Sequence, residues 1–308
     1  MFLICGAPDI YFDALYPARV DLPKHIKKLG LVDRSQHNNK IQNILEGGIT
    51  GEGIGQDKLS SQICLDGVYD QLRSSELYNI KRTNLMYKRK GLGMDFPPPM
   101  KWDRLDSICQ AYDLDALIVL EVFDTDYVGA MAEINLGFRL YDPGNKVILD
   151  RFSFVHSFDW NKPIRDVSDV VFKIIEKEDA FREASYYTGQ EYARRLSPTW
   201  FRIERKYYKR AKRDENLAYG ARMMEVNDWE SAIEALTEAA TNGRHRKIRG
   251  RASHNLAVVY EILGEHEIAR EWAQAAWGKY KNKDSKDYSY ILSQRIKETE
   301  RIKMQQKN

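Results

Sequence analysis

Three carboxylates, Glu121, Asp124 and Asp126, follow directly on the apolar run Ala116-Leu117-Ile118-Val119-Leu120. The end of a buried strand is where an α/β sheet commonly places its ligand site. Carboxylates grouped there could hold a hard divalent cation or serve as general acid and base. No histidine, cysteine or serine constellation accompanies them, so the expectation is a solvated acidic loop with no metal, no cofactor and no catalysis; a metal-dependent enzyme built on these three is the alternative. A second candidate is the run Gly47, Gly48, Gly51, Gly53 and Gly55 ahead of Lys58. Glycines free backbone amides at a helix start, and such a site favours anions. Neither a Walker pattern nor a dinucleotide fingerprint threads through it, and Glu52 and Asp57 would repel a phosphate, so flexible turns are expected there. A third candidate is the basic stretch Arg202, Arg205, Lys206, Lys209, Arg210, Lys212 and Arg213, interleaved with Phe201, Tyr207 and Tyr208. Read as a helix over residues 202–213, it offers nucleic-acid chemistry. No recognised nucleic-acid motif surrounds it, and contact with an acidic domain or with anionic lipid explains it equally, so nucleic acid is not the expected partner.

The bulk of the chain sets the frame for these groups. Its 308 residues suffice for two cored domains. The net charge of +3 exerts no overall pull toward nucleic acid or membrane. That near balance conceals an asymmetry: residues 201–308 hold 23 Lys and Arg against 16 Asp and Glu, and the first 200 are acidic. Much of the excess lies in the basic stretch above and in Arg244, Arg246, Lys247, Arg249 and Arg251. The 3 cysteines form no CxxC pair. Cys64 and Cys109 fall on apolar helical faces and read as buried small hydrophobes. Cys5 differs. It follows Met-Phe-Leu-Ile and precedes a polar, Pro-containing tether, the pattern of a lipoprotein signal's tail whose beginning is missing. No apolar run approaches the length of a membrane span.

The elements that must carry these residues can be read from periodicity. Residues 1–16 read as leader and tether, and residues 17–180 as a mixed-sheet α/β domain. Within it, residues 17–23 and Lys28 to Asp33 read as strands, a helix begins at Lys58, and residues 78–82 form another strand. Pro97-Pro98-Pro99 marks a surface loop, and Trp102 to Tyr112 is an amphipathic helix. The uninterrupted apolar run 116–120 is a strand buried on both faces. Residues 132–141 and 146–157 form a hairpin around Asp142-Pro143-Gly144-Asn145, with Asp142 and Asp150 as turn residues. From Val167 onward everything reads as helix. Residues 181–213 are then connecting and capping helices, one of them starting at Pro198. Residues 214–308 are helical repeats closed by a capping helix over 288–304.

The repeats rest on a single period. Ala232 precedes Ala269 by thirty-seven positions, and Gly220/Ala257, Met223/Tyr260, Leu236/Ala273 and Ala239/Ala276 keep the same offset. Small residues alternating with large ones across a turn resemble the tetratricopeptide repeat, whose antiparallel helices pack closely through the small positions. That resemblance implies a groove lined by the first helix of each unit: Leu217, Ala221 and Met224 in one, Arg251, His254, Asn255 and Val258 in the other. Asn255 matches one member of the clamp that grips a peptide's terminal carboxylate, but Leu217 and Ala221 stand where that clamp needs Lys and Asn. An amphipathic helix or an extended segment of a partner is therefore the expected ligand.

Several short motifs together resemble an uncharacterised family of Gram-negative envelope lipoproteins with a tetratricopeptide tail. They are Tyr16-Pro17-Ala18, Val32-Asp33-Arg34, Gly51-Glu52 with Asp57, Leu117-Ile118-Val119-Leu120-Glu121, and Arg195-Leu196-Ser197-Pro198 before Trp200. The resemblance implies lipidation at Cys5 and a membrane-anchored place in the cell envelope facing the periplasm, with the cytoplasm as the alternative. The expected function is non-enzymatic binding of a protein or peptide, as a scaffold or assembly protein, through the repeat groove.

Overall fold

A computed structural model of the chain describes residues 8–37, 56–75, 77–89, 96–128, 131–159, 177–209 and 214–307. Cys5, the glycine run 47–55 and Arg210, Lys212 and Arg213 lie outside them. The chain divides into two compact units: Ala18–Thr199 with Gln305–Asn308, and Met1–Pro17 with Trp200–Met304.

The first unit is a mixed α/β fold. Its elements are β2 (Lys28–His37), α1 (Gln56–Arg73), β3 (Asn79–Arg89), α2 (Trp102–Tyr112), β4 (Ala116–Val128), β5 (Met131–Asp142), β6 (Val147–Asp159) and α3 (Lys177–Ala193). Five strands form one sheet in the order β3-β2-β4-β5-β6. β2 runs parallel to both β3 and β4, while β4, β5 and β6 are antiparallel neighbours. The apolar run of β4 is completely buried, because its alternate residues serve both faces of the sheet. Ala116, Ile118 and Leu120 meet Cys64, Val68 and Leu72 of α1 and Tyr192 of α3. Leu117 and Val119 meet Leu105, Ile108 and Cys109 of α2. Burial pushes the Cys109 thiol up to about 12, so both described cysteines behave as small hydrophobes. α1 and α3 cross through glycine: a Cβ on Gly67 would sit 2.0 Å from the Tyr186 carbonyl oxygen, and one on Gly189 1.9 Å from that of Cys64. In the hairpin turn, Asp142 accepts from the Asn145 backbone N–H at 3.2 Å and from its amide at 2.8 Å. Asp150 is no turn residue; it lies on β6 and pairs with Arg195 at 3.0 Å.

Three sequence expectations give way here. Residues 17–23 are irregular, since Pro17 and Pro23 carry no N–H for a ladder, and the amides of Arg19 and Val20 instead donate to the Arg195 carbonyl. The leader expected over 1–16 contains a strand, β1 (Asp9–Tyr16). The helix expected from Pro198 is also a strand, β7 (Thr199–Lys206), paired with β1 in a two-stranded sheet.

The second unit adds five helices to that small sheet: α4 (Glu215–Glu225), α5 (Trp229–Asn242), α6 (Arg246–Ile262), α7 (His266–Gly278) and α8 (Asp284–Gln306). α4/α5 and α6/α7 are the two repeats, and α8 closes them with buried Tyr288 and Leu292. The period is visible in the backbone, because Asn227 (φ 58°) and Gly264 (φ 81°) occupy the equivalent turn in the left-handed conformation. Small residues at the anchors are required by closeness: a Cβ on Gly220 would lie 2.6 Å from Leu236 Cγ. Asp228 caps α5 by accepting from the Ser231 N–H at 3.1 Å.

Candidate functional site

The face lined by α4 and α6 already holds a peptide, and the peptide is the chain's own. Lys206, the last residue of β7, and Tyr207 and Tyr208 just beyond it run across this face. The Asn255 side chain accepts from the Tyr208 N–H at 2.8 Å and donates to the Tyr208 carbonyl at 2.9 Å. Both backbone groups of one residue are thereby satisfied by one amide, a contact that reads chain direction and ignores side-chain identity. One position earlier along α6, His254 Nε2 lies 3.0 Å from the Lys206 carbonyl and Nδ1 2.9 Å from Ser285 Oγ. A carbonyl only accepts, so Nε2 carries the proton and Nδ1 accepts from the serine hydroxyl. Burial holds the His254 pKa below its ordinary value, in keeping with a neutral imidazole.

The two tyrosines flanking that backbone are seated separately. Tyr207 enters the core among Leu217, Ala221 and Met224, and its hydroxyl donates to Glu225 at 2.7 Å. Lys209 reaches the same carboxylate at 2.6 Å. Tyr208 packs edge-on against His254 with ring centroids 5.3 Å apart, carries the Arg251 guanidinium 4.9 Å over its ring, and donates its hydroxyl to Asp284. Further back along β7, Arg205 forms a bidentate pair with buried Glu261, both contacts 2.8 Å, and Tyr288 donates to the same carboxylate at 2.6 Å. Arg205 thus faces inward while Arg202, Glu204 and Lys206 face solvent, which overturns the single basic helix face expected over 202–213.

The structure therefore brings the predicted groove residues together and covers them. Leu217, Ala221, Met224, Asn255 and Val258 have no exposed surface, His254 is 5% exposed, and Arg251 is half-buried. The expectation that they stand open to a partner is corrected: in this conformation the chain's own segment occupies the face. The residues that sequence reasoning missed are that occupant, Lys206 to Tyr208. Its signal was present as the alternation Phe201, Ile203, Arg205, Tyr207, a period of two that marks a strand.

The acidic triad is not a loop. Glu121, Asp124 and Asp126 all lie on β4, which continues past its apolar run through an irregularity between Leu120 and Val122. Glu121 is fully buried: Arg139 donates to it at 3.1 Å, Arg34 at 3.0 Å and the Tyr141 hydroxyl at 2.6 Å. The same guanidiniums donate to the Pro97 and Pro98 carbonyls, so this carboxylate organises the contact between the proline segment and the sheet. Opposite Asp124 and Asp126 stand Asn135 and Glu133. On the other face Asp33, also buried, collects the Ser35 N–H and hydroxyl, the Ser61 hydroxyl at 2.9 Å and the Gln62 amide at 2.8 Å. The adjoining cavity measures about 40 Å³, room for water but not for a small-molecule ligand of the usual few hundred Å³. Among the described residues no cluster of three or more His, Cys, Asp or Glu could hold a metal ion, and no helix is long and apolar enough to cross a membrane.

These features define a protein with a mixed α/β domain followed by packed helix pairs. The chain belongs to the family described as a domain of unknown function, DUF8603, whose model matches residues 26–208. A second domain of unknown function, DUF6340, matches residues 218–299, spanning most of the helix pairs. No curated protein matches the chain. Among solved structures it is distantly similar to the PelC dodecamer from Paraburkholderia phytofirmans, at 8% identity and a TM-score of 0.31, covering 61% of this chain and 98% of that one. It is also similar to lipoprotein GNA1162 from Neisseria meningitidis, at 13% identity and a TM-score of 0.24, covering 44% of this chain and 85% of that one. TolB from Acinetobacter baumannii matches at 12% identity and a TM-score of 0.24, covering 61% of this chain and 31% of that one. Scores this low transfer no function.

Proposed function

We propose that this chain is a non-enzymatic, envelope-associated assembly protein whose helical repeat holds an extended polypeptide by its backbone. The observation that supports it is the paired contact of Asn255 with the N–H and carbonyl of Tyr208. A face that grips its own segment this way is built for extended chain, and a partner segment engages it by displacing Lys206 to Tyr208. The cis occupant sets the threshold, because a partner must out-compete a segment held at high local concentration. Lipidation at Cys5 would place this unit at a membrane, consistent with the envelope reading.

The test is displacement. In Tyr207→Ala/Tyr208→Pro the buried phenol and the N–H accepted by Asn255 are both removed, which frees the face. A fluorescein-labelled peptide carrying residues 200–209 should bind this variant roughly tenfold or more tightly than the wild-type chain, as expected when a competing internal ligand is lost. Adding Asn255→Ala should remove that gain. If the opened variant keeps its circular dichroism and still ignores the peptide, the face is a structural contact and the reading fails.

A further inference from the structure

The second unit carries a concentrated positive charge that its own stability does not explain. Residues 244–251 hold Arg244, Arg246, Lys247, Arg249 and Arg251 and no carboxylate, and they lead into α6 and form its first turns. Helix starts favour acidic side chains, because the peptide dipoles leave partial positive charge there. α6 has none in its first turn, and its capping residue His245 makes no side-chain cap. The fold then adds the connection between α7 and α8, where residues 279–286 supply Lys279, Lys281, Lys283 and Lys286. The two segments are in contact. The Asn282 amide donates to the Gly250 carbonyl at 3.1 Å, the Arg249 guanidinium lies 5.5 Å over the Tyr280 ring, and a Cβ on Gly250 would meet Tyr280 Cβ at 2.9 Å. None of the salt bridges among the described residues uses Arg244, Arg246, Lys247 or these four lysines. The one carboxylate in the second segment before Lys286, Asp284, accepts from Tyr208.

From this we infer that the basic end of the helix pairs is a docking surface for the phosphate headgroups of an anionic phospholipid bilayer. Charge complementarity fixes the ligand as polyanionic, and the rings within the patch choose between lipid and nucleic acid. Single strands are held by stacking bases on open aromatic faces. Here the Tyr208, Tyr280 and Trp277 rings already carry cations: Arg251, Arg249, and both Lys281 and Lys286, whose ammonium groups lie 5.9 and 5.8 Å from the indole. Aromatic rings flanked by partly buried arginines and by the exposed Lys281 and Lys286 suit the headgroup layer, where juxtamembrane cations gather. The surface borders on the face that holds Lys206 to Tyr208, sharing the Tyr208 ring and Arg251 with it. Arg244, Arg246, Lys247 and the four lysines make none of the contacts described for that segment, and binding there does not require the segment to be displaced.

The test uses the full chain without a lipid anchor and sedimentation with vesicles. Vesicles of phosphatidylcholine containing phosphatidylglycerol should bind it, in a salt-sensitive way, and pure phosphatidylcholine should not. Arg244→Glu/Arg246→Glu should cut binding roughly tenfold or more, since each cation near an anionic surface contributes strongly. The control Lys297→Glu/Lys303→Glu, of equal charge change on exposed positions of α8, should change it less than about twofold. Equal losses in both variants, or no sedimentation with anionic vesicles, overturn the inference. So does tighter binding to single-stranded or duplex oligonucleotides that the Arg244/Arg246 pair alone abolishes, which would reassign the surface to nucleic acid.

Discussion

Asn255 and His254 are neighbours in sequence, and between them they hold two backbone positions of the strand's extension. Removing the Asn255 amide leaves a donor and an acceptor of Tyr208 without their partner. Asn255→Ala should therefore lower the unfolding free energy of the second unit by about 1–3 kcal/mol, the usual cost of orphaned buried hydrogen-bonding groups; urea titration followed by tryptophan fluorescence would show it, and an unchanged midpoint would speak against the contact. His254 gives the pH signature. Its folded pKa lies below the unfolded value, so the unfolded chain binds the extra proton; stability is complete above about pH 6.5 and falls as the pH drops below that. His266, also depressed by burial, contributes in the same direction. His254→Gln keeps a donor for the Lys206 carbonyl but has nothing to titrate, so its stability should decline less steeply between about pH 6.5 and 5 than the wild type's. Identical slopes would mean that the imidazole is not held neutral. At this scale the sequence showed which residue types were present but not their partners. Asn255 was recognisable by its place in the repeat, yet the segment it grips lies 47 residues away. Glu121 read as solvated because the arginines that neutralise it come from positions 87 and 18 residues distant.

The secondary-structure elements were legible wherever one period dominated. The amphipathic spacing of α2 and the apolar run opening β4 gave both elements directly, and the thirty-seven-residue offset gave the two helix pairs. β7 was misread because its charged residues satisfy a helical face as well as one side of a strand, and long-range pairing with β1 decided the matter. Close packing between elements makes its own prediction. Gly67 and Gly189 let α1 and α3 touch backbone to backbone, and an added methyl at either would collide with a carbonyl oxygen that cannot move without shifting its helix. Gly67→Ala should cost about 2 kcal/mol or more, within the range of overpacked cores. Gly278→Ala, at the end of α7 with nothing within 4 Å of the added carbon, should lie within about 1 kcal/mol of wild type. Thermal melts of the two variants provide the comparison, and equal melting temperatures would contradict this helix crossing.

For the whole molecule, the division into an α/β unit and a repeat unit was readable from periodicity, but its boundary was not. β1 and β7 belong with the helical repeats, and no local pattern reveals that a strand near the start of the chain pairs with one almost two hundred residues later. The envelope reading has its own check in Cys5. Expression of the native gene with labelled palmitate should give a membrane-bound, labelled product, and Cys5→Ser should release it unlabelled; a wild-type product that fractionates unlabelled would remove the anchor from the account. The central claim, however, is that the repeat holds an extended chain by its backbone and currently holds its own. Amide hydrogen exchange at Tyr208 measures this directly. If Asn255 accepts that N–H inside a packed face, exchange in the wild-type chain should be slowed by roughly a thousandfold or more relative to an unstructured peptide, and Asn255→Ala should return it most of the way to the free rate. A Tyr208 amide that exchanges at the unprotected rate in the folded wild-type protein would contradict the account.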